Sequence, residues 1–128
     1  MNIPDNLFYS KDHEWVSMNV DTATVGITAH AAEQLGDITF VELPEMDAIV
    51  VQGGELAVVE SIKAASDIFA PVGGIVKEIN TELDDAPEKI NSDPYGEGWI
   101  CKIDDVNDSE VNELMTAEQY EAFLEEKD

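Results

Sequence analysis

The chain has 128 residues and carries 29 acidic side chains against 6 basic ones, for a formal net charge of -23. The basic residues, all lysines, are too few against this acidic excess to form a footprint for nucleic acid, and an anionic membrane surface would repel the chain. Hydrophobic residues make up 44%, a globular share, and the length suffices for one domain, residues 1–128, with its own core.

Cys101 is the only cysteine, so no internal disulfide can form, which fits a reducing compartment. The start, Met1-Asn2-Ile3-Pro4-Asp5, has neither the pattern of a secretory signal nor that of an Arg-rich transit peptide. No apolar run is long enough to span a bilayer. These features lead us to expect a cytoplasmic protein, or a mature organellar form. Repulsion among so many carboxylates favours a monomer.

In chain order, Glu14 to Met18 alternates polar and apolar residues, as a half-buried strand does. A turn at Asn19 to Asp21 leads to a second strand, Thr22 to Ile27. Thr28 is placed to cap a short helix, Ala29 to Leu35, closed by Gly36. Ile38 to Leu43 reads as a strand stopped by Pro44, and Ala48 to Val51 as a short one before the Gly53-Gly54 turn. Leu56 to Val59 and Asp67 to Ala70 read as a β-hairpin around the small-residue tip Ile62-Lys63-Ala64-Ala65. Ile75 to Ile79 is another alternating strand, and Asn80 to Asn91 an acidic loop with short helical turns. After the turn cluster Asp93-Pro94-Tyr95-Gly96-Glu97-Gly98, Trp99 to Ile103 is the last strand, with Trp99, Cys101 and Ile103 expected to face the core. A helical segment follows at about 109–126, where Thr116 with Gln119 forms a capping-box signature. Many short strands and few helices predict a mainly β sandwich or flattened barrel.

Lys63 stands apart because it places a primary amine at the tip of a tight hairpin with alanines beside it. On the local pattern alone, a solvating surface lysine is the plainer reading. The run Val59-Glu60-Ser61-Ile62-Lys63-Ala64-Ala65-Ser66-Asp67-Ile68, with Ala70-Pro71-Val72 and Gly74, resembles the lipoyl-attachment hairpin of the glycine cleavage system H protein family. Lys11-Asp12-His13-Glu14-Trp15-Val16, Val25-Gly26-Ile27-Thr28, Leu35-Gly36-Asp37-Ile38, Phe40-Val41-Glu42-Leu43-Pro44 and Asp93 to Trp99 are similar to further blocks of the family, in family order. The family usually has a glycine shortly after the proline, near Asp47, and aspartate tolerates a left-handed turn better than most residues.

The resemblance implies a hybrid barrel-sandwich (a lipoyl/biotinyl-carrier-like fold) with short helices and a C-terminal helix, and lipoate in amide linkage to Lys63. It implies that Glu60 and Gly74 help the lipoylating enzyme recognise its target. Their bland alternatives are a solvated strand carboxylate and a turn requirement. It further implies that the loaded arm folds into a surface cleft. There Glu14 and Asp67 meet a cationic amine, and Ile27, Ala31 and Leu35 form an apolar floor. The alternative for Glu14 is an exposed strand residue, and for Ile27 and Leu35 ordinary core. The implied partners are a pyridoxal-phosphate glycine decarboxylase, a tetrahydrofolate-dependent aminomethyltransferase, a dihydrolipoyl dehydrogenase and a lipoyl ligase or transferase. The chain itself is expected to be a carrier with no catalytic residue.

Competing readings are a lipoate-relay scaffold that donates lipoyl groups to other enzymes, and a lipoyl or biotinyl domain of another multienzyme complex. Biotin carriers usually flank their lysine with methionines, where this chain has Ile62 and Ala64. The lipoyl domains of 2-oxo acid dehydrogenases are smaller. His13 and His30, far apart in sequence, and Cys101, which alternates with core residues, match no metal-ligand or hydrolase spacing. Asp104 to Asp108 lacks the central glycine and terminal glutamate of a calcium loop.

Overall fold

The computed structural model describes residues 3–126. Its strands are β1 (Phe8–Tyr9), β2 (Glu14–Asn19), β3 (Thr22–Ile27), β4 (Ile38–Glu42), β5 (Ile49–Val50), β6 (Glu55–Ser61), β7 (Ala65–Phe69), β8 (Gly74–Ile79) and β9 (Cys101–Asp104). The helices are α1 (Ala29–Leu35), α2 (Glu82–Asp85), α3 (Lys89–Ser92), α4 (Asp108–Val111) and α5 (Ala117–Glu126). One sheet runs β1-β2-β3-β9-β8-β5 and the other β4-β6-β7, with antiparallel pairing throughout. The fold is mainly β, and the inner-face residues Val25, Ile27, Val41, Val59, Ile68, Val76 and Ile103 belong to one buried core. Alternation along each strand puts these residues on one face and polar residues on the other.

Local chemistry sets the helix ends. Thr28 Oγ1 accepts the Ala31 N–H at 3.2 Å, and Gly36, at φ 82, sends its N–H to the Ala32 carbonyl. Thr116 and Gln119 exchange reciprocal bonds at 2.9 and 3.3 Å, the two halves of a capping box. The stretch expected to be helical at about 109–126 is interrupted, because Met115 pairs with Tyr9 as an isolated bridge. Helix α5 then seats on a second apolar cluster containing Leu7, Tyr9, Trp15, Ala117 and Tyr120. The Tyr9 and Tyr120 rings stack there at 4.7 Å.

Two readings change. The N-terminal arm adds a short edge strand, β1, to β2. Trp99 is not a core residue of the last strand. Its N–H still closes a turn on Gly96 at 3.2 Å, so extended pairing begins only at Cys101, and Ile100 takes the buried place. The indole of Trp99 packs instead in the second cluster, with the Lys102 ammonium 5.5 Å from its ring centre. Asp47 takes φ 66, so the turn after Pro44 forms without glycine.

Gly74 opens β8, where that strand meets β5 and β9. Its φ is 154, and a Cβ there would strike the Asp104 carbonyl oxygen and lie 2.7 Å from Ile103 Cγ2. Backbone conformation and strand approach both demand glycine. Gly74→Ala is expected to lower unfolding stability by about 1–3 kcal/mol in urea titrations. Unchanged stability would mean that β8 and β9 can separate at no cost.

Candidate functional site

The site begins at the β6–β7 tip. Glu60 pairs with Ala65, leaving Ser61 to Ala64 to reverse the chain. Ser61 donates its N–H to the Ala64 carbonyl at 2.9 Å. Its hydroxyl accepts the amides of Lys63 and Ala64 at 3.1 and 3.2 Å. The serine side chain therefore replaces the acceptor that a glycine turn would supply, and ordinary residues hold the turn. The Ile62 N–H donates to the Asp37 carbonyl at 3.1 Å, which fastens the tip to the chain leaving α1. Lys63 is exposed, and among the described residues it forms no ion pair. Its stem crosses Gly36, where a Cβ would lie 3.4 Å from Lys63 Cε. The amine is thus open to solvent on a fixed root.

Beside it lies a cleft of about 170 Å³, lined by Asp12, His13, Ile27, His30, Ala31, Gln34, Leu35, Ser66, Asp67 and Ile68. Leu35 adjoins Gly36, over which the lysine stem passes, and Ser66 lies three residues beyond Lys63, so the cleft is built from segments that neighbour the lysine in the chain. Ile27, Ala31, Leu35 and Asp67 are brought together there. Asp12 and Gln34 join them, which the sequence reading did not single out. Carboxylates at the rim over an apolar floor suit an arm with an apolar body and a cationic end.

Glu14 is elsewhere. It pairs with Ile27 across β2–β3 but is only 1% exposed. It borders a separate depression with Ser10, Gln52, Gly53 and Ala70. Its carboxylate accepts the Ser10 hydroxyl at 2.5 Å and the Phe69 N–H at 3.2 Å. It is neither an exposed strand residue nor a cleft-wall residue; it ties the start of β2 to the end of β7 from beneath. Burial pushes its carboxyl up to about 7, although both hydrogen bonds favour the anion.

Glu60 is exposed beside the tip, whereas Gly74 lies at the other end of the sheet system, in the β8 junction. His13 and His30, far apart in sequence, meet with ring centres 4.7 Å apart. Asp21, Asp104 and Asp105 bring their oxygens within 4.8 Å of one another on a surface away from the lysine. The sequence reading also missed Asn91. Its side chain donates to the Gly36 carbonyl and accepts the Ile38 N–H, both at 2.9 Å. No local pattern marks that role, because both partners lie more than fifty residues away. Ser61 was within reach, as a serine opening a tight turn.

The profile of the family described as glycine cleavage H-protein matches residues 7–127. A glycine cleavage system H protein from Salmonella arizonae is 54% identical over 127 residues, covering 98% of each chain. One from Halothermothrix orenii is 49% identical over 126 residues, again covering 98% of each. The crystal structure of a glycine cleavage system H protein from Mycobacterium marinum superposes with a TM-score of 0.83 at 40% identity, covering 92% of this chain and 95% of that one.

The buried Glu14 has a consequence for stability. Its folded value of about 7 lies above the ordinary 4.5, so the native state holds the proton more tightly than the unfolded chain. Its favourable contribution is complete below about pH 4.5 and is lost as pH rises through 7. At about 1.4 kcal/mol per pH unit, that interval corresponds to about 3 kcal/mol. Glu14→Gln should therefore gain on wild type by about 3 kcal/mol between pH 4.5 and 8 in denaturant titrations. A pH-independent difference would show that Glu14 titrates as an exposed carboxylate does.

Proposed function

This chain belongs to the glycine cleavage H-protein family, and from that premise we propose that Lys63 is the residue that carries its lipoyl group. The chain is the lipoyl carrier of the glycine cleavage system. The observation that carries the assignment to Lys63 is its presentation: an exposed amine with no ion pair among the described residues, on a hydrogen-bonded tip, its stem lying over Gly36 next to the cleft residue Leu35. The neutral amine attacks an activated lipoyl carbonyl, the leaving group departs, and an amide forms with loss of the amine proton. Exposure gives the ligase or transferase access, and Glu60, beside the tip, is available for recognition. Gly74 acts in recognition only through the strand junction it permits.

The lipoyl group, when attached, supplies the dithiolane that accepts the aminomethyl unit. On this reading a pyridoxal-phosphate decarboxylase loads the arm, a tetrahydrofolate-dependent aminomethyltransferase unloads it, and dihydrolipoyl dehydrogenase reoxidises it. The carrier works in the cytoplasm and contributes no catalytic residue. Between partners, Ile27, Ala31 and Leu35 take the apolar end, and Asp67 with Asp12 faces the cargo amine. Glu14 supports β7 through Phe69 instead of touching the cargo.

Intact mass after lipoylation tests the attachment. Wild type is expected to gain one lipoyl group, and Lys63→Ala and Lys63→Arg none, since a guanidinium is not an acylatable amine at neutral pH. Modification surviving in either variant would move the site elsewhere.

The cleft is tested on lipoylated, aminomethyl-loaded protein with the transferase absent. Replacing a charge-assisted acceptor costs about 1.5–3 kcal/mol, so Asp67→Asn should speed loss of ammonia and formaldehyde by about tenfold or more. Mass spectrometry follows the decay. Equal decay in the two proteins would remove Asp67 from the cleft's work.

A further inference from the structure

We propose that Tyr120 is a positioning residue for the arm cleft, its hydroxyl tying both the His13 corner and the N-cap of α1 to helix α5. The proposal rests on the sheltered-arm reading above. The Tyr120 hydroxyl lies 2.9 Å from Thr28 Oγ1 and 2.8 Å from His13 Nδ1. Thr28 is fully buried, and its hydroxyl, which accepts the Ala31 N–H, keeps a second lone pair and a proton, so either hydroxyl can donate in the Thr28–Tyr120 bond. The His13 tautomer sets whether Nδ1 accepts the Tyr120 proton or donates to Tyr120 Oη. Burial pushes the Tyr120 hydroxyl up to about 12, which keeps its proton in place at any working pH. In each arrangement the one hydroxyl bridges Thr28 and His13.

The link matters because α1 meets the core along a narrow strip. Ala32 is the one fully buried residue of the helix, with Ala31 and Leu35 packed on the core only in part. Yet Ala31, Gln34 and Leu35 on this helix form one wall of the cleft, and Asp12 and His13 form another. Hydrogen bonds supplement packing. Thr28 binds Tyr120, the Ala29 N–H donates to the Tyr95 hydroxyl at 3.0 Å, and Asn91 holds Gly36. The two walls also meet directly, through the Thr28 N–H donating to the His13 carbonyl at 3.0 Å and the His13–His30 ring contact; the Tyr120 hydroxyl ties that junction to α5. Its ring stacks on Tyr9 with the planes 6° apart, so the anchor is rigid.

The test uses Tyr120→Phe in the full-length, lipoylated and aminomethyl-loaded protein, because this change deletes the hydroxyl and keeps the stacked ring. Should Tyr120→Phe fold poorly, Thr28→Val removes the other end of the link together with the N-cap of α1, and Thr28→Ser restores both. Val76→Ala, a core change on β8, which contributes no residue to the cleft lining, serves as a control for lowered stability. Free aminomethyl-lipoamide gives the unprotected rate. Tyr120→Phe and Thr28→Val are expected to decay roughly threefold to tenfold faster than wild type. Thr28→Ser and Val76→Ala should decay as wild type does. Amide exchange should quicken at Ala31 in Tyr120→Phe but not at Val59 in the core. Tyr120→Phe and Thr28→Val decaying at the wild-type rate, or no faster than Val76→Ala, would overturn the proposal while leaving the sheltered-arm reading intact. Wild type decaying as fast as the free compound would overturn that reading, and this proposal with it.

Discussion

The site depends on how the hairpin tip is fastened to the chain that leaves α1. A two-stranded hairpin is marginal alone, but β4 pairs with β6 as far as Ser61, and the Ile62 amide carries that attachment into the tip by donating to the Asp37 carbonyl. The lysine root is thereby fixed to the segment that follows the cleft wall on α1. Asn91 reinforces the same segment from both sides, at Gly36 and at Ile38. Helix α3, only one turn long, thereby acts as a strut between an acidic loop and the lysine. The exposed amine keeps its freedom beyond the stem, which a carrier arm needs.

Glu14 illustrates a different compromise. A carboxylate this deep is costly when ionised, and two hydrogen bonds do not fully offset the loss of water. Its position explains its effect on the neighbourhood. One oxygen takes the Ser10 hydroxyl and the other the Phe69 amide, so the turn before β2 and the end of β7 share one group. Asp12 and Asp67 are the rim residues nearest these two fixed points in sequence. Asp12 and Asp67 are exposed, while the buried Glu14 fixes the turn and the strand that carry them.

Sequence patterns exposed what local chemistry controls. The boundaries of α1 follow from Thr28 and Gly36, the capping box from Thr116 and Gln119, and the hairpin from two β-prone runs around small residues. Ile27, Ala31, Leu35 and Asp67 fell into one cleft because the family blocks carried them. What stayed hidden depends on long-range register. The depth of Glu14 comes from β7 closing over β2, and no alternation within β2 reports that. The meeting of His13 with His30 follows from the Thr28 amide bonding the His13 carbonyl across β2 and β3, and the contact of both walls with Tyr120 from α5 lying over that junction; the partners are far apart in sequence. Trp99 misled because it extends the alternation of Cys101 and Ile103 backward, while the Gly96 turn keeps the chain from extending there.

On the proposed reading, the charge distribution would let the cleft sort its cargo. Lys77, Lys89 and Lys102 are paired with Asp47, Glu82 and Glu78 at other surfaces, so none of them neutralises the cleft rim. On the proposed reading, acylation removes the Lys63 charge and leaves the region more negative. An empty arm ends in a neutral dithiolane, so the rim carboxylates offer it no Coulombic attraction. An aminomethyl-loaded arm ends in an amine that is cationic once protonated, and Asp12 and Asp67 then attract it at short range. In a partly enclosed cleft that attraction exceeds its value in open water, and salt screens it less than at an exposed surface. The same carboxylates thus favour docking of the loaded arm and release of the empty one, with no change of fold required.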